Sequence, residues 1–233
     1  MTTLVLLHGW AADSRIWRRQ QEHFSAGLDL LPLDLPVWEA AWMIDYLASL
    51  PLDDTVVVGW SLGGMLALET LAWMRSAPKA LVLVGVAACF CRRPDFPLGV
   101  APAVVRTLRR RLWSEPEVVV QDFAELCLAS EEKLPNQEWL SLWPQPESPE
   151  FLAQGLDYLL HQDLRPWLGK VKGSVTIVHG NRDRVTPVAQ AYYLQEQIPG
   201  ARLDIYQNAG HLPFLTQAEK FNALLMEVIN DRR

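Results

Sequence analysis

Cysteine is scarce in this chain, and long apolar runs, a basic excess and any repeating unit are missing. Three cysteines are an odd number, and Cys89 and Cys91 lie too close in sequence for an easy bridge. Disulfides are therefore not expected to carry the fold, and a reducing compartment, the cytoplasm, is expected. No apolar stretch reaches the roughly 18 residues that a membrane span needs, so no membrane partner is expected. The apolar run 4–7 has no basic segment before it and is broken at once by His8-Gly9-Trp10, which argues against a signal peptide. A formal net charge of −6 weighs against nucleic acid as a partner. No motif calls for a metal or an organic cofactor, so none is expected.

What the chain does contain is an ordinary globular balance. Half of its 233 residues are hydrophobic and 21% are charged, and a chain of this length buries roughly 70–75% of its unfolded surface without disulfide or metal. Short runs rich in Val and Leu recur at 4–7, 28–33, 55–58, 80–84, 174–179 and 202–206. They lack period-two alternation, so each is expected to be a strand buried on both faces of a parallel sheet. Helical patterns separate most of them, at 14–24, 38–49, 62–75 and 188–197. At the end, Thr216 and Glu219 have capping-box spacing before Phe221, Leu224, Leu225 and Val228, a one-sided helical pattern. Alternating strands and helices predict an α/β fold with a mostly parallel sheet of about six strands.

The alternation breaks after the fourth strand. Residues 89–168 read as helical, punctuated by Pro97, Pro102, Pro116, Pro135, Pro144 and Pro149. An insert this long predicts a helical cap over the strand ends, where open α/β sheets bind ligands. The expected division is a core of 1–88 and 169–233 with the cap at 89–168.

The chemistry concentrates at Gly59-Trp60-Ser61-Leu62-Gly63-Gly64, between the run 55–58 and a helical run that opens with Met65. Strand, Gly-x-Ser-x-Gly, helix is the nucleophile-elbow pattern. A sharp, strained turn lifts the serine above the sheet edge, and small residues at 59 and 63 let strand and helix approach. A serine hydroxyl is a poor nucleophile at neutral pH and needs a base, itself oriented by an acid. Asp183 follows the run 174–179 and His211 follows the run 202–206, so Ser61, Asp183 and His211 are the expected catalytic residues. Asp183 also stands where it could cap a helix starting near Pro187. The developing oxyanion needs two donors. The Leu62 N–H, next after the serine, is one; the Trp10 N–H, in the loop after the first strand, is the other. The Trp10 ring is expected to line the acyl pocket, His8 to organise its loop, and His179 to be structural.

On these residues the chain resembles the α/β-hydrolase superfamily over nearly its whole length. Within it, the likeness is to the pimeloyl-[acyl-carrier protein] methyl ester esterases of biotin synthesis. The likeness rests on residues 4–10, on 59–64, on Cys89-Phe90 with Asp95-x-Pro97, and on Gly155-Leu156 with Asp163-Leu164-Arg165. Tryptophan both after His-Gly and before the nucleophile is more selective than the superfamily pattern. The resemblance implies an α/β-hydrolase fold with an inserted helical cap. It also implies a serine carboxylesterase that frees a carboxylate and methanol from the methyl ester of an acyl chain on an acyl carrier protein. By position, Phe123, Leu126 and Cys127 correspond to the family's acyl-contacting segment.

Two departures stand out. The first strand leads directly to His8, leaving no room for the antiparallel strands such enzymes place before it, and Val37-Trp38-Glu39-Ala40 replaces a glycine-rich loop. The helix that carries carrier-binding arginines in the family carries Glu117, Asp122 and Glu125 here. Positive charge lies one helix earlier, at Arg92, Arg93, Arg106, Arg109, Arg110 and Arg111. Arg106, Arg109, Arg110 and Arg111 could dock an acidic carrier, or form a solvated face balanced by nearby acids. The same triad would also serve a broad carboxylesterase, a thioesterase or a lyase of menaquinone synthesis. A ligand receptor on a hydrolase scaffold is the reading of another class.

Overall fold

A computed structural model of the chain describes residues 1–231 except 26, 133, 135–141 and 144–147; Pro135 and Pro144 lie outside the described residues. Six strands form one sheet: β1 Thr3–Leu7, β2 Asp29–Leu33, β3 Thr55–Trp60, β4 Ala80–Val84, β5 Ser174–Gly180 and β6 Arg202–Tyr206. Their order is β2-β1-β3-β4-β5-β6 and every neighbouring pair is parallel. The sheet winds outward in two directions from the β1–β3 pair, which fixes where a ligand crevice can open.

Every apolar run therefore became a strand within two residues of its expected bounds. Burial on both faces holds for β1, β3 and β4, and for β5 apart from its exposed first residue, but not for β2 and β6. Those two are the sheet edges, each paired on one side only, and residues along them stay half exposed. Pro32 fits in β2 because an edge strand need not donate on its outer side.

Helices fill the connections: α1 Arg18–Phe24, α2 Ala40–Ala48, α3 Ser61–Trp73, α4 Pro102–Arg111, α5 Pro116–Leu126, α6 Pro149–His161, α7 Ala189–Gln197, α8 Pro213–Thr216 and α9 Ala218–Asn230. Residues 14–17, read as the start of a longer helix, form a separate 3-10 turn ahead of α1. Pro102, Pro116 and Pro149 each open a helix, where a missing N–H costs nothing.

The capping box expected at Thr216 does not form. Thr216 ends α8, and its hydroxyl lies against the Glu132 carboxylate and the Leu212 carbonyl, while Gln217 takes the cap position of α9. A tertiary acceptor won over the local one. The apolar face of α9 does pack as the spacing predicts, with Phe221, Leu224, Leu225 and Val228 all buried. Among the described residues no helix is long and apolar enough to cross a membrane.

Candidate active site

β3 runs straight into α3, so Ser61 is both the corner and the first helical residue. Its φ is +52°, a left-handed conformation that costs a side-chain-bearing residue about 1–3 kcal/mol. The corner closes because its neighbours lack side chains. A Cβ on Gly59 would stand 2.5 Å from the Gly64 Cα, and one on Gly63 would overlap the His8 carbonyl. β1 lies beside β3 with Leu7 opposite Gly59, which brings the His8-Gly9-Trp10 loop against the serine. A Cβ on Gly9 would be 3.1 Å from the Ser61 Cβ.

Asp183 and His211 come from the loops after β5 and β6 and meet at 2.6 Å, Oδ2 to Nδ1. The Asp183 carboxylate divides its work. Oδ1 accepts the N–H groups of Val185 and Thr186, both at 2.8 Å, while Oδ2 faces His211. The helix-capping role does not form, because α7 begins at Ala189 with Val188 at its cap and no side-chain cap bond. Oδ1 instead holds the turn at Val185 and Thr186, while Oδ2 faces His211. Burial alone would push this carboxyl up. Attraction to His211, the hydrogen bond to that ring, attraction to His179 and the Thr186 N–H outweigh it and hold it below the usual carboxylate range. An ionised Asp183 requires Nδ1 of His211 to carry the proton, leaving Nε2 as the basic nitrogen. Nε2 is buried with no hydrogen-bond partner among the described residues.

Two further histidines shape this region without contacting Ser61 through a hydrogen bond. His179 Nε2 lies 2.9 Å from the Thr186 carbonyl and 3.3 Å from Asp183 Oδ2. Both are acceptors, so this nitrogen carries the proton. Burial pushes its pKa down and keeps the ring neutral. His8 accepts the Leu35 N–H on Nε2 at 3.0 Å and lies 2.8 Å from the Gly9 carbonyl through Nδ1. It ties the loop after β1 to the loop after β2, and burial lowers its pKa as well.

Trp10 is buried, and its indole donates to the Leu152 carbonyl of α6 at 2.8 Å. Its ring meets Phe123 of α5 edge-on at 4.9 Å between centroids. Gly155 lets α6 come this close, since a Cβ there would stand 2.6 Å from Trp10 Cδ1. Between these parts lies a cavity of about 270 Å³ lined by Ser61 and Trp10 below and by Val105, Leu108, Phe123, Leu126 and Leu156 of α4 to α6 above. Its walls are apolar apart from Ser61 and Arg184. Cys127 is not among its lining residues. That thiol is buried and pushed well up by burial, and the residue's carbonyl instead accepts the His211 N–H at 2.7 Å.

The arginines of α4 separate into two kinds. Arg109 makes a two-pronged bridge to Asp157 of α6 at 2.7 and 2.9 Å. Arg111 reaches Glu115 and Asp122, at 2.5 and 2.9 Å. Arg106 and Arg110, four residues apart, make no salt bridge with the described residues. Gly85, at the end of β4, carried no signal in the sequence beyond its glycine. Its φ is +61°, and a Cβ there would lie 2.8 Å from His211 Nδ1. Glu132 and Arg184 carried none at all, because their partners lie in other elements.

The chain matches the α/β hydrolase family model over residues 4–224. A pimeloyl-[acyl-carrier protein] methyl ester esterase of Nitrosomonas europaea is 33% identical over 231 residues, covering 94% of this chain and 92% of that protein. The protein of the same name from Aromatoleum aromaticum is 31% identical over 245 residues, covering 97% of each. Among solved structures, an esterase from Exiguobacterium antarcticum superposes with a TM-score of 0.90 at 26% identity, over 99% of this chain and 92% of that one.

Proposed function

The chain belongs to the α/β-hydrolase family, and from that premise we propose that it is the esterase that removes the methyl group from pimeloyl-[acyl-carrier protein] methyl ester. It is a hydrolase of carboxylic esters, the class of the relatives that match nearly its whole length. The observation that carries the site assignment is the strained Ser61 at the edge of an apolar cavity, with the 2.6 Å Asp183–His211 pair on the neighbouring strand ends.

In this reading Ser61 Oγ attacks the ester carbonyl while His211 Nε2 takes its proton. Asp183 holds the proton on Nδ1 and supports the imidazolium. The N–H groups of Leu62 and Trp10 receive the oxyanion. Collapse of the tetrahedral species breaks the bond to the methoxy oxygen, and the imidazolium protonates it to methanol. Water then attacks the acyl-serine with His211 again taking the proton. The carboxylate leaves and Ser61 is restored.

Residues 89–168 act as the cap, and its apolar helices accept the methylene chain of the acyl group beside Trp10, Phe123 and Leu126. Cys127 stands outside that wall, and its carbonyl holds the His211 N–H instead. The carrier protein stays outside, its acidic surface attracted to Arg106 and Arg110. The paired Arg109 and Arg111 contribute less, because their charge is already answered within the chain. The reaction needs no metal or organic cofactor, and the cytoplasm is its site. Purified protein should hydrolyse a short chromogenic ester and lose that turnover in Ser61→Ala. Wild-type-like activity in the variant would end the triad assignment.

A further inference from the structure

We infer that Glu132 is a positioning residue for His211, by which the segment after α5 sets the geometry of the triad. The inference rests on the role of His211 as general base proposed above. His211 sits in a short loop between β6 and α8 whose backbone is held largely from outside the sheet. Its N–H donates to the Cys127 carbonyl at 2.7 Å, and its own carbonyl accepts the Trp60 indole N–H at 3.0 Å. Immediately before it, the Gly210 N–H donates to Glu132 Oε2 at 2.9 Å. Five residues after it, the Thr216 hydroxyl meets Glu132 Oε1 at 2.5 Å. One carboxylate therefore grips the histidine loop on both sides.

The same carboxylate is anchored to its own segment, because Oε2 also accepts the Ala129 N–H at 2.7 Å. Contact between the two segments is backbone to backbone. A Cβ on Gly210 would stand 2.5 Å from the Cys127 carbonyl oxygen and 2.6 Å from the Ala129 nitrogen. Neighbouring Glu131 pairs with Arg182, next to the acid of the triad, which gives the same segment a hold on the second loop. No lysine or arginine among the described residues pairs with Glu132, so it serves as a hydrogen-bond acceptor rather than as half of an ion pair.

That distinction defines the test. A glutamine at 132 can offer its carbonyl oxygen to the Ala129 and Gly210 N–H groups. Its amide can donate to Thr216, whose own proton turns to the Leu212 carbonyl 3.2 Å away. An alanine offers nothing. Misplacing a catalytic group by about 1 Å can cost roughly 10²-fold in rate. Glu132→Ala should therefore lower kcat on a short chromogenic ester about 10- to 100-fold with KM within about twofold. The downfield proton resonance of the His211–Asp183 hydrogen bond should be lost or broadened in that variant. Glu132→Gln should keep kcat within about threefold of wild type and retain the resonance.

A Glu132→Ala protein with wild-type kcat and resonance overturns the inference, and so does a Glu132→Gln as impaired as the alanine. If Glu132→Ala does not fold, Thr216→Val removes one donor alone and should still lower kcat at constant KM; no change would overturn the inference equally. A wild type that cleaves no ester would defeat the general-base reading instead, while the proton resonance would still report on the positioning.

Discussion

Ser61 keeps its φ of +52° because β3, α3 and the loop after β1 close on it from three sides. Ser61→Gly should relieve that strain and raise stability to urea by about 1 kcal/mol while abolishing turnover. An unchanged or lowered midpoint would mean the turn is not strained. The two roles of Asp183 make its amide variant equally diagnostic. In Asp183→Asn the carbonyl oxygen must stay on the Val185 and Thr186 N–H groups, so the NH₂ faces His211. The ring then accepts on Nδ1 and carries its proton on Nε2, where it cannot act as a base. kcat should fall about 10⁴-fold with little change in the melting temperature. Ser61, Asp183 and His211, the proposed triad, could be singled out in the sequence because that chemistry demands particular residue types at particular strand ends. Gly85 and Glu132 could not, and His179 could be read only as structural. Each matters through a contact with His211, Asp183 or Gly210 across the fold, and no local pattern encodes such a contact.

At the scale of elements, strands and helix starts follow directly from residue chemistry. Val-rich runs make the buried strands, and three prolines mark the first turns of α4, α5 and α6. The misreading at Thr216 has a physical origin: its hydroxyl found a partner in Glu132, 84 residues away, which a local rule cannot weigh. The arginines of α4 teach the same lesson, since the sequence shows four charges on one segment and not which acids answer them. Reversing charge at Arg106 and Arg110 together should raise KM for a carrier-bound ester several-fold and leave a small ester unaffected. Equal effects on both substrates would remove α4 as the docking surface. Gly155→Val should push α6 from Trp10 and depress turnover of medium-chain esters more than of acetate esters, because the cavity wall moves while the triad does not.

The whole molecule carries a pH signature from its buried histidines. His8 and His179 are both held below the ordinary histidine value of 6.5, in each case chiefly by burial. Between that value and their lower folded values, the unfolded chain binds protons that the fold refuses. Stability is therefore full above about pH 7 and falls as pH drops through 6.5, by at most about 1.4 kcal/mol per pH unit for each histidine. Urea midpoints between pH 7.5 and 5.5 should decline accordingly; a flat profile would show that neither ring is kept neutral. Six strands, their parallel winding and a helical insert were legible in the sequence as periodicity. The cavity was not, because its shape depends on how α4, α5 and α6 lean on Trp10. The substrate is decided in that cavity, so the most direct test is hydrolysis of pimeloyl-[acyl-carrier protein] methyl ester by wild type and Ser61→Ala, followed by mass spectrometry of the intact carrier. Loss of one methyl group with the thioester preserved, in wild type only, is the predicted result; an untouched methyl ester, or cleavage at the thioester, would contradict the account.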